Sequence, residues 1–139
     1  MKVKAPVCKN KTIMLIDDND IDNFINEKLI KSYYFAENVY VHTSTKSALE
    51  FLHNIEVTLG EIPEDLIPSY IFLDINMPIL DGFHFLDEFE KVAPNLKKKI
   101  KVSMLTTSLN PLDIEKSKMY PNVIKFIHKP LTEAELISL

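Results

Sequence analysis

The stretch YIFLD at residues 70–74, four apolar residues followed by an aspartate, decides the fold. A short apolar run of this kind is typical of a strand that is buried on both faces, as in a parallel sheet. The same pattern occurs earlier in the chain, where the run IMLI at residues 13–16 precedes Asp17 and Asp18. Both segments therefore predict a buried strand that ends in acidic side chains.

Working outward from these two segments, strand and helix patterns alternate along the chain. Three further strands are predicted at residues 39–41, 100–105 and 123–127. Between the strands, apolar residues recur at helical spacing. In the first predicted helix these residues are Ile21, Phe24, Ile25, Leu29 and Ile30. Five strands alternating with five helices predict an α/β fold, with a parallel sheet covered by helices on both faces.

Helix-start residues and one long connection complete this prediction. Residues that favour a helix start precede the first, second, fourth and fifth helices. They are Asn19 or Asp20, Ser44 or Thr45, Asn110 with Pro111, and Thr132 with Glu135. Residues 54–69 are predicted to form a long loop before the third strand, and loops of that length are either functional or mobile.

Composition excludes several classes of protein. The chain has 139 residues, a formal net charge of −4 and 16 basic residues, all of them lysine. Without arginine, recognition of nucleic acid is not expected. Two glycines are too few for the glycine-rich phosphate loops of dinucleotide-binding folds and P-loop proteins.

The sequence also predicts a cellular compartment. We find no apolar run long enough to span a membrane and no signal-peptide core, so no membrane partner is expected. The one cysteine, Cys8, excludes an internal disulfide bond and suits a reducing environment. We therefore expect a cytoplasmic protein.

Polar side chains follow four of the predicted strands. Asp17 and Asp18 end the first strand, Asp74 the third and Thr106 the fourth, and the fifth runs into Lys129. Since ligands bind at the carboxyl ends of the strands in an open α/β sheet, we expect these side chains to meet at one rim.

Three carboxylates in one crevice repel one another and require compensating positive charge. Lys129 supplies part of it, and Mg²⁺, which binds oxygen ligands, would supply the rest. A metal ion, a lysine and a hydroxyl group together suit phosphoryl transfer. An aspartate such as Asp74 can itself be the nucleophile and form an acyl phosphate.

These motifs resemble those of response-regulator receiver domains, the phosphoacceptors of two-component phosphorelays, including single-domain receivers of the chemotaxis type. The matching segments are 15–18 (LIDD), 74–78 (DINMP) with 81–82 (DG), Thr106, and 129–130 (KP). The resemblance covers residues 11–139 and leaves residues 1–10 as an N-terminal extension. It implies a flavodoxin-like, doubly wound five-stranded parallel sheet with strand order 2-1-3-4-5.

The resemblance also implies a role for each matching residue. Asp74 would be the phosphoacceptor, with Thr106 bonding the phosphoryl group and Lys129 pairing with it. Mg²⁺ would be held by Asp74, by Asp18 directly, by Asp17 mainly through water, and by the backbone carbonyl of Asn76. Phe126 would be the aromatic switch residue that responds together with Thr106. The Lys129–Pro130 peptide bond would be cis.

Two other functions remain open on the residues alone. A phosphatase of the haloacid-dehalogenase type also uses a strand-end aspartate, Mg²⁺ and a lysine. It needs a second aspartate two positions after the nucleophile, where this chain has Asn76. A pseudo-receiver that binds partners without phosphorylation is the other alternative. We expect no enzyme beyond self-phosphorylation and slow self-dephosphorylation.

The implied partners are a histidine kinase or a histidine phosphotransfer protein upstream, and a target protein or a second copy downstream. The fourth helix, fifth strand and fifth helix are expected to form the face for that target or dimer. No output domain is expected after the fifth helix. A free-standing regulator and a receiver domain of a larger hybrid protein both remain open.

Overall fold

A computed structural model describes residues 7–139, so most of the predicted N-terminal extension lies outside the described residues. All five predicted strands are present. They are β1 (Asn10–Ile16), β2 (Ala36–His42), β3 (Tyr70–Leu73), β4 (Lys101–Thr106) and β5 (Val123–His128). They form one parallel sheet in the order β2-β1-β3-β4-β5, which confirms the predicted fold class and strand order.

Six α-helices connect or follow the strands in the described part of the chain. They are α1 (Asp20–Ser32), α2 (Thr45–Val57), α3 (Gly82–Phe89), α4 (Pro94–Lys97), α5 (Pro111–Ser117) and α6 (Glu133–Ile137). The one-turn helix α4 was not predicted, so the fourth and fifth predicted helices are α5 and α6. Asn19, Ser44, Asn110 and Thr132 are the N-caps, each accepting a backbone N–H with its side chain.

The core lies on both faces of the sheet, because alternate residues of each strand point to opposite sides. On one face, Ile71 and Leu73 pack with residues of α2 and α3 such as Leu52 and Phe85. On the other face, Tyr70 and Phe72 belong to a cluster that includes Ile30 of α1 and Leu136 of α6. Burial on both faces explains why these strands are apolar throughout.

The predicted apolar face of α1 is wrong for the first two turns of the helix, although Leu29 and Ile30 pack in the core as predicted. Ile21, Phe24 and Ile25 are 70%, 62% and 56% exposed, whereas Asn23 and Asn26 are buried together with Ile30. Asn23 is buried because its side-chain amide donates to the backbone carbonyl of Asp17 at 2.8 Å, which turns this side of the helix toward the sheet. The apolar side chains are thereby left on the surface.

The predicted long loop at residues 54–69 is shorter in the structure. Helix α2 continues to Val57, and a 3₁₀ turn occupies Glu64–Leu66. The hydroxyl group of Thr12 donates to the carbonyl of Asp65 at 2.6 Å and ties this turn to β1. This turn therefore lies near the start of β1, whereas Asp17 follows the end of that strand. Within residues 7–139, no helix is long and apolar enough to cross a membrane.

Candidate functional site

Backbone hydrogen bonds at the carboxyl ends of the strands bring the predicted site residues to one rim. The N–H of Asp17 donates to the carbonyl of His42, and that of Asp74 to the carbonyl of Ile16. On the other side of the sheet, the N–H of Lys129 donates to the carbonyl of Thr106 at 2.8 Å. Each of these hydrogen bonds extends the bonding between two neighbouring strands by one residue. The bond fixes the site residue relative to the neighbouring strand.

Three carboxylates form a cluster of the size that one metal ion requires. One carboxylate oxygen from each of Asp17, Asp18 and Asp74 lies within 4.8 Å of the other two. The side chains of Asp17 and Asp74 are buried, and Asp18 is exposed. The turns that follow the strands orient the buried pair. Backbone N–H groups donate to Oδ1 of Asp17 from Asn19 at 2.9 Å and to Oδ1 of Asp74 from Asn76 at 3.3 Å.

The donor set fits Mg²⁺. Carboxylate oxygens are the hard ligands that this ion prefers, and it usually keeps several waters and takes one or two carboxylates with a phosphate oxygen. An exposed Asp18 beside two buried carboxylates leaves one side of the cluster open to solvent and substrate. The described contacts place the N–H of Asn76 toward Asp74, and a metal-binding role for the Asn76 carbonyl stays a prediction.

Lys129 lies over the cluster with its ammonium group facing three carboxylates. Its Nζ atom is 2.6 Å from Oδ2 of Asp17, 2.9 Å from Oδ2 of Asp22 and 3.4 Å from Oδ2 of Asp74. Burial alone would lower the pKa of Lys129, but the hydrogen bonds with Asp17 and Asp22 and the charge of Asp74 outweigh it and raise this pKa. Lys129 is therefore a cation at neutral pH. The Lys129–Pro130 peptide bond is cis.

Burial raises the pKa of Asp17, even though Lys129 and the Asn19 backbone donate hydrogen bonds to its carboxylate. The nearby charge of Asp74 acts in the same direction as burial. Negative groups outnumber the single ammonium group in this pocket, which raises the pKa of Lys129 and adds to the effect of burial on the pKa of Asp17. A divalent cation would relieve that imbalance.

Gly82, in the predicted DG motif, is required by the close approach of α3 to the site. A Cβ atom at this position would lie 2.4 Å from the backbone carbonyl oxygen of Asp74 and 2.9 Å from the Cα atom of Ile75. Any larger residue would push the backbone that carries Asp74 out of place. The glycine here allows α3 to pack directly against the backbone of Asp74 and Ile75.

Thr106 ends β4 at the rim, and Phe126 lies within β5, two residues before the end of that strand. Thr106 is fully buried, and its hydroxyl oxygen accepts a hydrogen bond from the N–H of Ser108 at 3.2 Å. Phe126 is partly buried and packs against the core cluster that contains Met104. Because Met104 pairs with Phe126 and Thr106 with His128, the Thr106 and Phe126 side chains share one face of the sheet.

Sequence reasoning missed two residues of the site. The sequence motifs assign neither Asp22 nor Asn23 to the site. In the structure Asp22 bonds Lys129, and Asn23 bonds the carbonyl of Asp17. The spacing of Asp22 and Asn23 from Asp17 could have identified them. When a helix follows a strand-end aspartate closely, the residues of its first turn lie over the end of that strand.

Comparisons with known proteins agree with this geometry. The sequence profile described as "Response regulator receiver domain" matches residues 13–139. The response regulator Rcp1 of Synechocystis sp. is 32% identical over 104 residues, which cover 75% of this chain and 67% of that protein.

Solved structures give the same result. A two-component response regulator from Cytophaga hutchinsonii matches with a TM-score of 0.81 and 32% identity, covering 93% of this chain and 92% of that one. A response regulator receiver protein from Dyadobacter fermentans matches with a TM-score of 0.78 and 24% identity, over 92% and 93% of the two chains. The second likeness, at that identity, concerns the fold alone.

Proposed function

This chain belongs to the response regulator receiver domain family, and from that premise we propose that it accepts a phosphoryl group on Asp74 and uses it as a conformational switch. The observation that carries the proposal is the position of the Asp74 carboxylate. It is buried, it lies within 4.8 Å of oxygens of Asp17 and Asp18, and its Oδ2 atom is 3.4 Å from the Lys129 ammonium group.

The proposed reaction is transfer from a phosphohistidine. A carboxylate oxygen of Asp74 attacks phosphorus, an O–P bond forms, the P–N bond breaks, and the imidazole leaves and takes up a proton. Lys129 offers ammonium N–H groups to the phosphoryl oxygens, and Thr106 offers a hydroxyl group from the end of β4. Mg²⁺, held by Asp17, Asp18 and Asp74, would neutralise charge on the phosphoryl oxygens.

We further propose that the chain is not an enzyme with a separate substrate. Asn76, two positions after Asp74, cannot shuttle a proton as the second aspartate of haloacid-dehalogenase phosphatases does. The amide side chain is exposed at the rim. Turnover of small phosphomonoesters should therefore be negligible, and the acyl phosphate should hydrolyse slowly.

The surface around the pocket suits a protein donor. The exposed apolar residues Ile21, Phe24 and Ile25 lie on the first two turns of α1, the same turns that carry Asp22 to the pocket. Exposed apolar patches of this kind mark protein interaction sites. A histidine kinase or a histidine phosphotransfer protein, docking on α1, would bring its phosphohistidine to Asp74, and a downstream protein would recognise the phosphorylated state. Both partners belong in the cytoplasm, where we place this chain.

The test is phosphorylation by a small donor. The chain should gain one phosphoryl group from acetyl phosphate in the presence of Mg²⁺, measured by intact mass, and hydroxylamine should remove it. Asp74→Asn should not be modified. Asp65→Asn, which changes an exposed aspartate at the other end of the sheet, should be modified like the wild type. Modification that persists in Asp74→Asn, or a wild type that stays unmodified, would contradict the proposal.

A further inference from the structure

Lys129 has a partner outside the metal-sized cluster. Of the three carboxylates that its ammonium group contacts, Asp17 and Asp74 belong to the cluster, whereas Asp22 does not. Asp22 is 2.9 Å from the Nζ atom, closer than Asp74 at 3.4 Å. The phosphoacceptor thus holds the weakest of the three contacts.

The local structure accounts for the reach of Asp22. Asn19 caps α1 by accepting the backbone N–H of Asp22 at 3.0 Å, which places this residue in the first turn above the strand ends. The Asp22 side chain is 37% exposed, whereas that of Lys129 is 12% exposed, so Asp22 contacts the ammonium group from a more solvent-accessible position. Asp20, in the same turn, is exposed, and the described contacts link it to no cation.

From this geometry we infer that Asp22 is a positioning residue that holds Lys129 on the α1 side of the pocket and competes with the phosphoryl group for it. The inference rests on the proposed function. An ammonium group has three N–H donors, and all three face carboxylates here. A donor bound to Asp22 is not available to a phosphoryl oxygen. The charge of Asp22 also repels a phosphoryl group on Asp74, since both carboxylates lie within one hydrogen-bond length of the same nitrogen.

The consequence is a bias toward the unphosphorylated state. Metal binding at Asp17 would weaken the ion pair between Asp17 and Lys129. The ion pair between Asp22 and Lys129 would remain, because Asp22 lies outside the cluster. Transfer of Lys129 to the phosphoryl group then requires loss or sharing of the Asp22 contact. Removing the charge of Asp22 should strengthen binding of a phosphoryl group at Asp74.

The first measurement is the affinity for beryllofluoride, a phosphoryl analogue, at saturating Mg²⁺, followed by NMR. Asp22→Asn should bind about three- to tenfold more tightly than the wild type, because one nearby unit charge is removed from a partly screened pocket. Asp20→Asn removes the same formal charge from the same helix turn, and Asp22→Glu keeps the charge. Both should stay within about twofold of the wild type if contact with Lys129 is the cause.

The second measurement reads Lys129 directly and needs no ligand. In protein with ¹⁵N-labelled lysine, the Lys129 ammonium resonance, identified by its absence from Lys129→Arg, should shift and exchange faster with water in Asp22→Asn. It should be unchanged in Asp20→Asn.

Two outcomes would overturn the inference. One is a Lys129 resonance that is the same in Asp22→Asn and the wild type. The other is a gain in beryllofluoride affinity that is equal in Asp20→Asn and Asp22→Asn, since this would show a general charge effect. A wild type that does not bind beryllofluoride at all would instead contradict the proposed function, and the Lys129 resonance would still test the contact.

Discussion

At the scale of single residues, the carboxylates of the site differ in burial and in their contact with Lys129. Asp74 and Asp17 are buried and share Lys129, while Asp18 is exposed. Within residues 7–139, Asp18 has no hydrogen-bond donor or cation as a partner. In the absence of metal, the charge of Asp18 adds repulsion without compensation. At the proposed Mg²⁺ site, Asp18 would be the carboxylate most accessible to the ion.

This difference leads to a prediction on metal and stability. Asp18→Asn should raise the metal-free free energy of unfolding by a few tenths of a kcal/mol up to about 1 kcal/mol, since water screens part of the repulsion at an exposed group. The same change should remove most of the Mg²⁺ affinity, and Asp17→Asn should reduce it less. Thermal unfolding with and without Mg²⁺ measures both effects, with Asp65→Asn as the control. Unchanged Mg²⁺ binding in Asp18→Asn would place the metal elsewhere.

The raised pKa of Asp17 adds a pH dependence. Folding raises this pKa, so the stability it contributes is present at pH values below the unfolded pKa and is lost as pH rises through the folded pKa. Mg²⁺ binds the deprotonated carboxylates and competes with protons for them. Stabilisation by a fixed concentration of Mg²⁺ should therefore be larger at pH 7 than at pH 5. Equal stabilisation at the two pH values would show that the metal does not bind at these carboxylates.

Ile79 offers a third prediction on a single residue. Its backbone φ is 68°, in the left-handed region that a β-branched residue rarely adopts, and its side chain is fully exposed. Ile79→Asn should raise the free energy of unfolding by about 1 kcal/mol, because asparagine tolerates this conformation. Leu109→Asn makes an equally polar change at an exposed residue that does not have a positive φ, and it should have little effect. Equal effects of the two changes in urea unfolding would mean that polarity, and not strain, is responsible.

At the scale of elements, α1 connects the site with the surface. One side of this helix is polar and buried through Asn23 and Asn26, and the opposite side is apolar and exposed. The buried side orients Asp17 through the Asn23 amide, and Asp22 contacts Lys129. The exposed side is left for a partner. A single helix thus positions the reacting groups and presents the surface on which a donor can dock.

A prediction tests this division of roles. Phe24→Ser should reduce kcat/KM for transfer from a phosphorylated histidine-containing donor protein by about tenfold or more, as expected when an exposed aromatic anchor is truncated. Phosphorylation by acetyl phosphate should not change, since the pocket is untouched. Ile137→Ser, on the exposed side of α6, serves as the control. Equal loss with both donors would show that Phe24 acts on the pocket and not on docking.

The elements also show how far the sequence predicts this molecule. The strands were predictable because residues such as Ile71 and Phe72 are apolar on both faces, and the strand-end rule brought Asp17, Asp74 and Lys129 together. The exposed side of α1 was not predictable from hydrophobicity. The buried Asn23 amide donates a hydrogen bond to the carbonyl of Asp17, just after β1, and sequence periodicity does not contain that information.

At the scale of the whole molecule, the question is how a charge on Asp74 reaches a distant surface. Thr106 is linked to α5 through Ser108, whose N–H donates to the Thr106 hydroxyl group and whose own hydroxyl group donates to Asp113 at 2.5 Å. Asp113 lies in the first turn of α5. Drawing the Thr106 hydroxyl group toward a phosphoryl oxygen would break its bond with Ser108 and release the loop that begins α5.

Phe126 provides the second part of this path. Its ring is partly buried on the same face of the sheet as Thr106, so inward movement of Thr106 leaves space beside β5. Full burial of such a side chain is worth about 1.5–3 kcal/mol. Because the Phe126 ring is already partly buried, burying the rest of it is worth on the order of 1 kcal/mol. A free-energy difference of about 1.4 kcal/mol shifts a two-state equilibrium tenfold. In the proposed switch, the contribution of the ring alone would bias the equilibrium, and the phosphoryl contacts of Thr106 would supply the rest.

The face made of α5, β5 and α6 is then the surface that changes, and we expect the downstream partner or a second copy to bind there. Beryllofluoride added to the wild type should shift NMR resonances throughout residues 110–137. Thr106→Ala should still bind beryllofluoride and still accept a phosphoryl group on Asp74, but the shifts at residues 110–137 should be largely lost. Thr107→Ala, an exposed neighbour of the same type, should behave like the wild type. Wild-type shifts confined to the loops around Asp74 would contradict this mechanism, because the phosphoryl group would then have no route through Thr106 to the surface.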